Sequence, residues 1–506
     1  MCGIIAIYGR NARRWEPLLD TMLRKLSHRG PDDRGTYVDG NIAMGQTRLS
    51  IVDVAGGRQP IFSEDGHKCV ICNGEIYNYL TLRDGLRQHY FRTNSDSEVI
   101  IHLAEEEGFD SVSRLDGMFA LVFYDGEDIL VARDPLGIKP LYQGWKDDCI
   151  FFASEFKVLD GVVDRVQEFP PGYYYSSKEG LIQYYHLPGV TNWEDDIHEI
   201  TDRLREMLSE AVQKRWMSDV PLGCFLSGGI DSSLISAISR QHFDHLHTFS
   251  VGLEGAAIDL EYARKVADFL GTDHHEYTYT KDEVLEALPH VIYHLESFDP
   301  ALVRSAIPCY FVSRLASDYV KVILTGEGSD EVFAGYHYIK RFGNKEDVYN
   351  ETVRILTGLH NMNLQRVDRA TMAHSIEGRV PFLDIDFVEY VMSINPRLKQ
   401  AGRKSKIEKW LLRQAFSGYL PDEILLRPKA EFAAGCGSER LITDLAQSEI
   451  SDAEFEKEKE LSRDVEISSK EELYYLRIFR SFFNTDGDIE AIGRWRGGFS
   501  TEGSEL

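Results

Sequence analysis

The stretch that most constrains this chain is Leu222–Ser233, Leu-Gly-Cys-Phe-Leu-Ser-Gly-Gly-Ile-Asp-Ser-Ser. A short apolar run, Cys224-Phe225-Leu226, reads as a buried strand, and Leu234–Arg240 reads as a helix. Between them Gly228 and Gly229 let the backbone turn tightly and present N–H groups at a helix N-terminus, where the dipole favours an anion. Ser227, Ser232 and Ser233 add hydroxyl donors, and Asp231 is suited to hold a magnesium ion against phosphate oxygens. No lysine follows the glycines, which excludes the Gly-Lys-Ser/Thr loop of ordinary nucleotide triphosphatases.

A chain of 506 residues is long enough for two or three domains, each with its own core. Its net charge of −26 argues against a nucleic-acid partner held by its phosphates. No apolar run approaches the ~18 residues a membrane span needs. The start, Met-Cys-Gly-Ile-Ile, has no basic segment ahead of its apolar run and does not read as a signal peptide, so a cytoplasmic location is expected. Seven scattered cysteines do not form a disulfide framework. Cys69 and Cys72 lie in a strand-like context without the second pair of a zinc site, so strand packing is the expected role.

Cys2 is the second chemical signal. With Met1 removed, it carries both a thiol and an α-amine, of reference pKa roughly 8.5 and roughly 8, so the amine can serve as base while the thiol attacks a carbonyl. Downstream stand His28-Arg29-Gly30-Pro31-Asp32-Asp33, Arg48-Leu49-Ser50, Asn73-Gly74-Glu75-Ile76-Tyr77-Asn78, Ser95-Asp96-Ser97-Glu98, Gly117-Met118-Phe119-Ala120 and Arg133-Asp134-Pro135. Strand candidates Cys69–Cys72, Phe119–Tyr124 and Ile129–Ala132 alternate with helical patterns near Leu18–Leu26 and Ser97–Glu107.

This order of motifs over about the first 185 residues resembles the glutamine amidotransferase domain of the N-terminal-nucleophile class. Amide hydrolysis passes through an oxyanion, to which the Asn73 side-chain amide and the Gly74 N–H are suited as donors. Arg48 can grip the carboxylate of a free amino acid through two parallel hydrogen bonds, and Asp96 can pair with its ammonium. The resemblance makes Arg48, Asn73, Gly74, Glu75 and Asp96 the glutamine-binding residues and Cys2 the nucleophile.

After Leu187-Pro188-Gly189 and a polar stretch, an amphipathic helical pattern runs from Ile197 to Trp216 with Ile197, Ile200, Leu204, Met207, Leu208 and Val212 on its core face. Three strand candidates follow, Leu222–Leu226, Thr248–Val251 and Val320–Leu324, separated by helical patterns, as in a parallel sheet with helices on both faces. Ligands of such sheets sit at the carboxyl ends of the strands. The third candidate runs into Thr325-Gly326-Glu327-Gly328-Ser329-Asp330-Glu331, whose acids need solvent or a cation. Asp330 is expected with Asp231 around magnesium, Glu327 near the reacting carbonyl, and Arg304 and Lys406 as balancing positive charge on acceptor and pyrophosphate.

Ser-Gly-Gly-Ile-Asp-Ser-Ser resembles the pyrophosphate loop of ATP pyrophosphatases. With Gly-Glu-Gly-Ser-Asp-Glu, Val367–Ala373 and Arg379-Val380-Pro381-Phe382-Leu383-Asp384, it resembles the synthetase domain of glutamine-hydrolysing asparagine synthetases. The resemblance implies an αββα sandwich of the N-terminal-nucleophile type over 2–188, a linker over 189–198, and an adenine-nucleotide α-hydrolase-like, parallel-sheet α/β domain over 199–490. A disordered tail is expected over 491–506. It implies an ATP site made by Leu226, Ser227, Gly228, Gly229, Asp231, Ser232, Ser233, Val251, Thr325 and Gly326, with Leu226 and Val251 flanking adenine. Mg2+ is the implied cofactor, glutamine, aspartate and ATP the substrates, a β-aspartyl-AMP the intermediate, an internal tunnel the ammonia route, and a homodimer the assembly. Two other readings are an amidating ligase acting on another carboxylate and a non-catalytic relative that binds only glutamine or nucleotide. The chain departs from the common bacterial pattern before Arg304, where Ala301 and Leu302 replace two threonines. If those hydroxyls define the acceptor site, Leu302 favours a more apolar carboxylate than aspartate.

Overall fold

The computed structural model describes residues 2–191, 196–399, 407–429, 435–437, 440–462, 465–484 and 489–494. The first half builds two antiparallel six-stranded sheets. One runs in space Arg165–Glu168, Tyr142–Lys146, Cys149–Ala153, Cys2–Gly9, Ile42–Arg48, Asp33–Asp39. The other runs Gly180–Gln183, Tyr173–Ser176, Ile129–Arg133, Gly117–Tyr124, Cys69–Ile76, Ile61–Phe62.

Alternation along the strands explains how the two sheets stack. Ile4 and Ala6 face Cys69, Ile71, Ala120 and Val122 in a core between the sheets. Ile5 and Ile7 point the other way onto Leu19, Met22 and Leu23 of the helix Glu16–Lys25, while Val70 and Cys72 point onto Val99, Ile100 and Leu103 of the helix Val99–Glu107. The layers are therefore α, β, β, α, as expected. Cys69 and Cys72 take the packing role assigned to them, on opposite faces of one strand, and all seven cysteines are free and buried.

The second half holds a five-stranded parallel sheet in the order Asp273–Tyr279, His247–Leu253, Leu222–Phe225, Val322–Leu324, Glu377–Arg379. Its first strand in sequence is central, so the order reverses there, and loops leaving its carboxyl end open onto the crevice where such sheets bind ligands. Leu234, Ile235 and Val266 cover one face against Cys224 and Leu324, and Val303, Ile307 and Phe311 cover the other against Phe249 and Ile323. The amphipathic helix Ile197–Lys214 buries its expected face except for Ile197, which is exposed in the first turn. Of the tail expected to be disordered over 491–506, residues 491–494 are placed in the fold. Ala491 and Ile492 are buried and the Gly493 carbonyl accepts from Ser297 Oγ at 3.0 Å, while 495–506 lie outside the described residues.

The two halves meet through buried charge. Arg29, fully buried, donates from Nε to the Cys2 carbonyl (3.0 Å) and from its two Nη atoms to the Asp368 carboxylate (2.8 and 3.0 Å), and Nη1 also reaches Glu155 at 2.8 Å. Arg369 spans Glu296 (2.9 Å) and Glu155 (3.2 Å), and Lys157 sits between the same two acids. Breaking such a network from one side strands a buried charge, at about 3–5 kcal/mol. Arg369→Ala is therefore expected to lower the thermal unfolding midpoint markedly; an unchanged midpoint in differential scanning calorimetry would mean that Glu155 and Glu296 are neutralised elsewhere.

Candidate active sites

Cys2 opens the central strand of the first sheet, directly opposite Arg48 in the antiparallel register. It is buried, and burial pushes its thiol up, opposed by the chain's N-terminal ammonium, the Leu49 N–H and Arg48. Its backbone nitrogen donates to Asn73 Oδ1 at 3.0 Å. The Asn73 amide nitrogen, buried, has no hydrogen-bond partner. An orphaned donor of this kind is costly unless something else uses it, and it belongs to the side chain that bonds the Cys2 nitrogen. Gly74 adopts φ +153°, and a Cβ there would lie 1.9 Å from the Met118 carbonyl oxygen, so only glycine fits.

Arg48 makes contacts that its expected role does not include. Its Nη atoms donate to the carbonyls of Val52 (3.1 Å), Asp53 (2.8 Å) and Val54 (3.2 Å), so it also builds the loop behind it. Asp96 accepts the Ile76 N–H at 2.7 Å, which ties it to the strand of Asn73, Gly74 and Glu75. Burial raises the Asp96 carboxyl to about 6, the Ile76 N–H opposing and Glu377 adding to the rise. Glu75, buried beside Glu377 and Asp96, is held well above the usual carboxylate range, and its Oε1 lies 3.5 Å from Arg379 Nη2 at the end of the fifth parallel strand.

Two expectations follow. Arg48→Ala removes charge-assisted contacts worth about 2–3 kcal/mol, so the KM for glutamine should rise roughly 30- to 150-fold with the KM for ammonia unmoved. An equal rise in both would make Arg48 a structural residue alone. Asp96 must be ionised to meet an ammonium, so kcat/KM for glutamine hydrolysis should fall on the acid side as pH drops through about 6. A profile flat from pH 5 to 7 would remove Asp96 from substrate binding.

In the second half, Ser227–Gly229 turn from the central strand into the helix Ile230–Arg240, whose N-terminus has no side-chain cap. Gly228 sits at φ +71°, with the position of a Cβ taken by Tyr262. The Ser227 and Ser232 hydroxyls bond one another at 3.1 Å, and Ser233 Oγ is buried without a partner. Leu226 and Val251 are buried at the carboxyl ends of adjacent strands. Thr325 and Gly326 continue the neighbouring strand, with the Thr325 N–H donating to the Arg379 carbonyl at 2.9 Å.

Asp231 and Asp330 come together as expected. Asp231 Oδ2 and Asp330 Oδ1 bond the same ammonium, Lys409 Nζ, at 2.5 and 2.7 Å, and Asp231 Oδ1 accepts from Ser329 Oγ at 2.6 Å. Lys429 Nζ adds a second cation 2.8 Å from Asp330, which is held well below the usual carboxylate range by these lysines against the penalty of burial. Lys409 is buried and adopts φ +54°, a strained setting for a residue with a side chain. Two oxygens converging on one cation-sized point suit Mg2+, which takes one or two carboxylates and completes its shell with phosphate oxygens and water. Glu327 pairs with Arg366, and burial raises its carboxyl despite that partner.

Of the two expected balancing cations, Lys406 lies outside the described residues. Arg304 bonds Glu471 through Nε at 2.7 Å and reaches Thr443, so its charge is engaged by the helix Lys470–Arg480. Among the described residues Lys409, Lys429 and Arg366 stand at the acids. Leu302 is buried in the hydrophobic core and its N–H is capped by Asp299, so it does not present an apolar surface to the acid cluster.

The chain thus joins an αββα sandwich with a cysteine on an inner strand to a parallel sheet with a glycine-serine loop at its switch point. Residues 1–195 match the glutamine amidotransferase domain family, and residues 203–351 and 340–496 match the asparagine synthase family. Over 507 residues the chain is 40% identical to glutamine-hydrolyzing asparagine synthetase 2 of Arabidopsis thaliana, covering 96% of this chain and 88% of that protein. Over 541 residues it is 40% identical to a probable glutamine-hydrolyzing asparagine synthetase of Schizosaccharomyces pombe, covering 98% and 96%. Among solved structures, glutamine phosphoribosylpyrophosphate amidotransferase of B. subtilis aligns over 54% of this chain and 65% of its own, at 19% identity and a TM-score of 0.32. The chain belongs to the glutamine-hydrolysing asparagine synthetase family.

Proposed function

We propose that the protein makes L-asparagine from L-aspartate, glutamine and ATP, releasing glutamate, AMP and pyrophosphate, with residues 2–188 hydrolysing glutamine and 199–490 activating aspartate. The observation that carries this reading is that one chain holds a buried cysteine beside an unpartnered amide donor and a glycine-serine loop beside paired carboxylates. That combination disfavours a non-catalytic relative.

With Met1 removed, the Cys2 nitrogen at Asn73 Oδ1 becomes the amine that takes the thiol proton, directly or through water. The thiolate attacks the glutamine side-chain carbonyl, and Asn73 Nδ2 and the Gly74 N–H receive the oxyanion. The C–N bond breaks, the proton passes to the leaving ammonia, and water cleaves the thioester to glutamate. Arg48 and Asp96 hold the two ends of the amino acid.

At the second site a side-chain carboxylate oxygen of aspartate attacks the α-phosphorus of ATP and the bond to pyrophosphate breaks. The free N–H groups of the helix Ile230–Arg240, with Lys409 and Lys429, face the pyrophosphate. Asp231 and Asp330 would hold Mg2+, which supplies charge neutralisation on the triphosphate. Ammonia then attacks the acyl carbon, AMP leaves, and Glu327 is placed to take the proton that ammonia sheds. The core placement of Leu302 favours aspartate over an apolar acceptor.

An assay with aspartate, glutamine and MgATP should yield asparagine, glutamate, AMP and pyrophosphate in equal amounts. Stoichiometric ADP, or pyrophosphate released only with another carboxylic acid, would overturn the reading. No described helix is long and apolar enough to cross a membrane, and a cytoplasmic homodimer is the setting the family reading implies, testable by light scattering and cell fractionation.

A further inference from the structure

The amidase half carries a second cluster of chemistry that glutamine hydrolysis does not use. Glu64, His89, His102 and Glu105 each offer an atom to a group in which all four lie within 4.8 Å of one another, the one such group of three or more among the described residues. Three separate segments deliver them. Glu64 follows the short strand Ile61–Phe62, His89 sits in the loop after the helix Tyr79–Gly85, and His102 and Glu105 lie one turn apart on the helix Val99–Glu107. His102 Nδ1 is 2.9 Å from Glu105 Oε2, and His89 Nδ1 is 3.5 Å from the same oxygen and 3.7 Å from Glu64 Oε1.

The surroundings resemble a metal site more than an ion-pair cluster. His102 is fully buried, and its other ring nitrogen, without a hydrogen-bond partner, faces Glu98 Oε1 at 3.8 Å. Glu98 is itself fixed by the backbone N–H groups of Arg92 and Thr93, each at 2.7 Å. An imidazole with one nitrogen toward the ligand group and a carboxylate behind the other is the usual outer-shell arrangement of a metal-bound histidine. Glu106 stands behind His89 Nε2 at 3.3 Å. Against four carboxylates, the one lysine or arginine among the described ion pairs is Lys68, 3.0 Å from Glu105 Oε1. The half-exposed Glu64 leaves a route in from solvent.

We propose that Glu64, His89, His102 and Glu105 bind one first-row divalent cation, with Zn2+ the best fit. Two imidazoles and two carboxylates are a borderline donor set that suits Zn2+ rather than the all-oxygen shell of Mg2+ or Ca2+. Ligand atoms around a tetrahedral zinc are about 3.3 Å apart, so the His89 and Glu64 side chains would turn inward on binding, Glu64 Oε1 giving up the Tyr90 N–H it now accepts. The bound ion would clamp the segment between His89 and His102, which carries Asp96, so the site acts on the amidase half as a brace.

The test is titration of the chelator-treated full-length protein with Zn2+ by calorimetry, and with Co2+ by visible spectroscopy. One equivalent should bind, and the Co2+ form should show d–d bands without the near-ultraviolet charge-transfer band of a thiolate. His89→Ala and Glu64→Gln, each confirmed as folded by circular dichroism, should weaken binding at least tenfold, while Cys2→Ala leaves it unchanged. Excess Mg2+ should not compete. No binding by the parent protein, binding indifferent to both His89→Ala and Glu64→Gln, or binding lost in Cys2→Ala would each overturn the assignment.

Discussion

Cys2→Ala should abolish glutamine-dependent asparagine formation, by on the order of 10^5-fold, and leave formation from added ammonium salt intact. The size follows from removing the attacking atom of a covalent mechanism. The selectivity follows from position. The backbone groups of residue 2 keep their bonds to Asn73 and Arg29 whatever the side chain, so the substitution deletes a thiol without disturbing the contacts that reach the second half. Parallel assays with glutamine and with ammonium chloride decide the matter: equal loss of both activities would contradict two separable sites, and loss of neither would remove Cys2 as nucleophile.

Asp231→Asn should give the reverse separation. Synthesis from either nitrogen source should drop by on the order of 10^3-fold, because the variant would lose a proposed magnesium ligand and loses the charge that holds Lys409 opposite Asp330. Glutamate release from glutamine alone should persist. ATP–pyrophosphate exchange in the presence of aspartate reads the activation step directly; exchange at the parental rate would place the metal and the α-phosphate away from Asp231.

Local order was well marked in the chain, and long-range pairing was not. The helices Glu16–Lys25, Val99–Glu107 and Ile230–Arg240 and the strands around Cys69, Phe119, Ile129 and Leu222 stand where apolar periodicity puts them. The strands Asp273–Tyr279 and Glu377–Arg379 are not legible in the sequence, for a physical reason. The first is a half-exposed edge strand reading Asp-His-His-Glu-Tyr-Thr-Tyr, and the second is three residues with charge at both ends, whose burial rests on Arg379 bonding Glu377 and the carbonyls of Arg215 and Met217. Gly74, inside a strand, and Gly228, in a turn, are legible because each belongs to a short local motif, Asn73-Gly74-Glu75 and Ser227-Gly228-Gly229. Lys409 and Lys429 are not, since nothing near them in sequence distinguishes them from exposed lysines, and only the fold brings them to Asp231 and Asp330. Arg304 shows the same limit from the other side, since its partner Glu471 lies far along the chain.

The salt-linked contact around Arg29 bears on how such a protein can be re-engineered. Arg29 meets Asp368, Glu75 approaches Arg379, and Asp32 pairs with Lys321 at 2.7 Å, so residues on each side complete charges on the other. The amidase half is therefore not a cassette that can be cut free and spliced onto a different ammonia-using enzyme. A graft that omits Asp368 and Arg369 would strip buried Arg29, next to Cys2, of its bidentate partner and leave it only its bonds to Glu155 and the Cys2 carbonyl, and recombination between relatives should succeed only where both sides of this contact are inherited together.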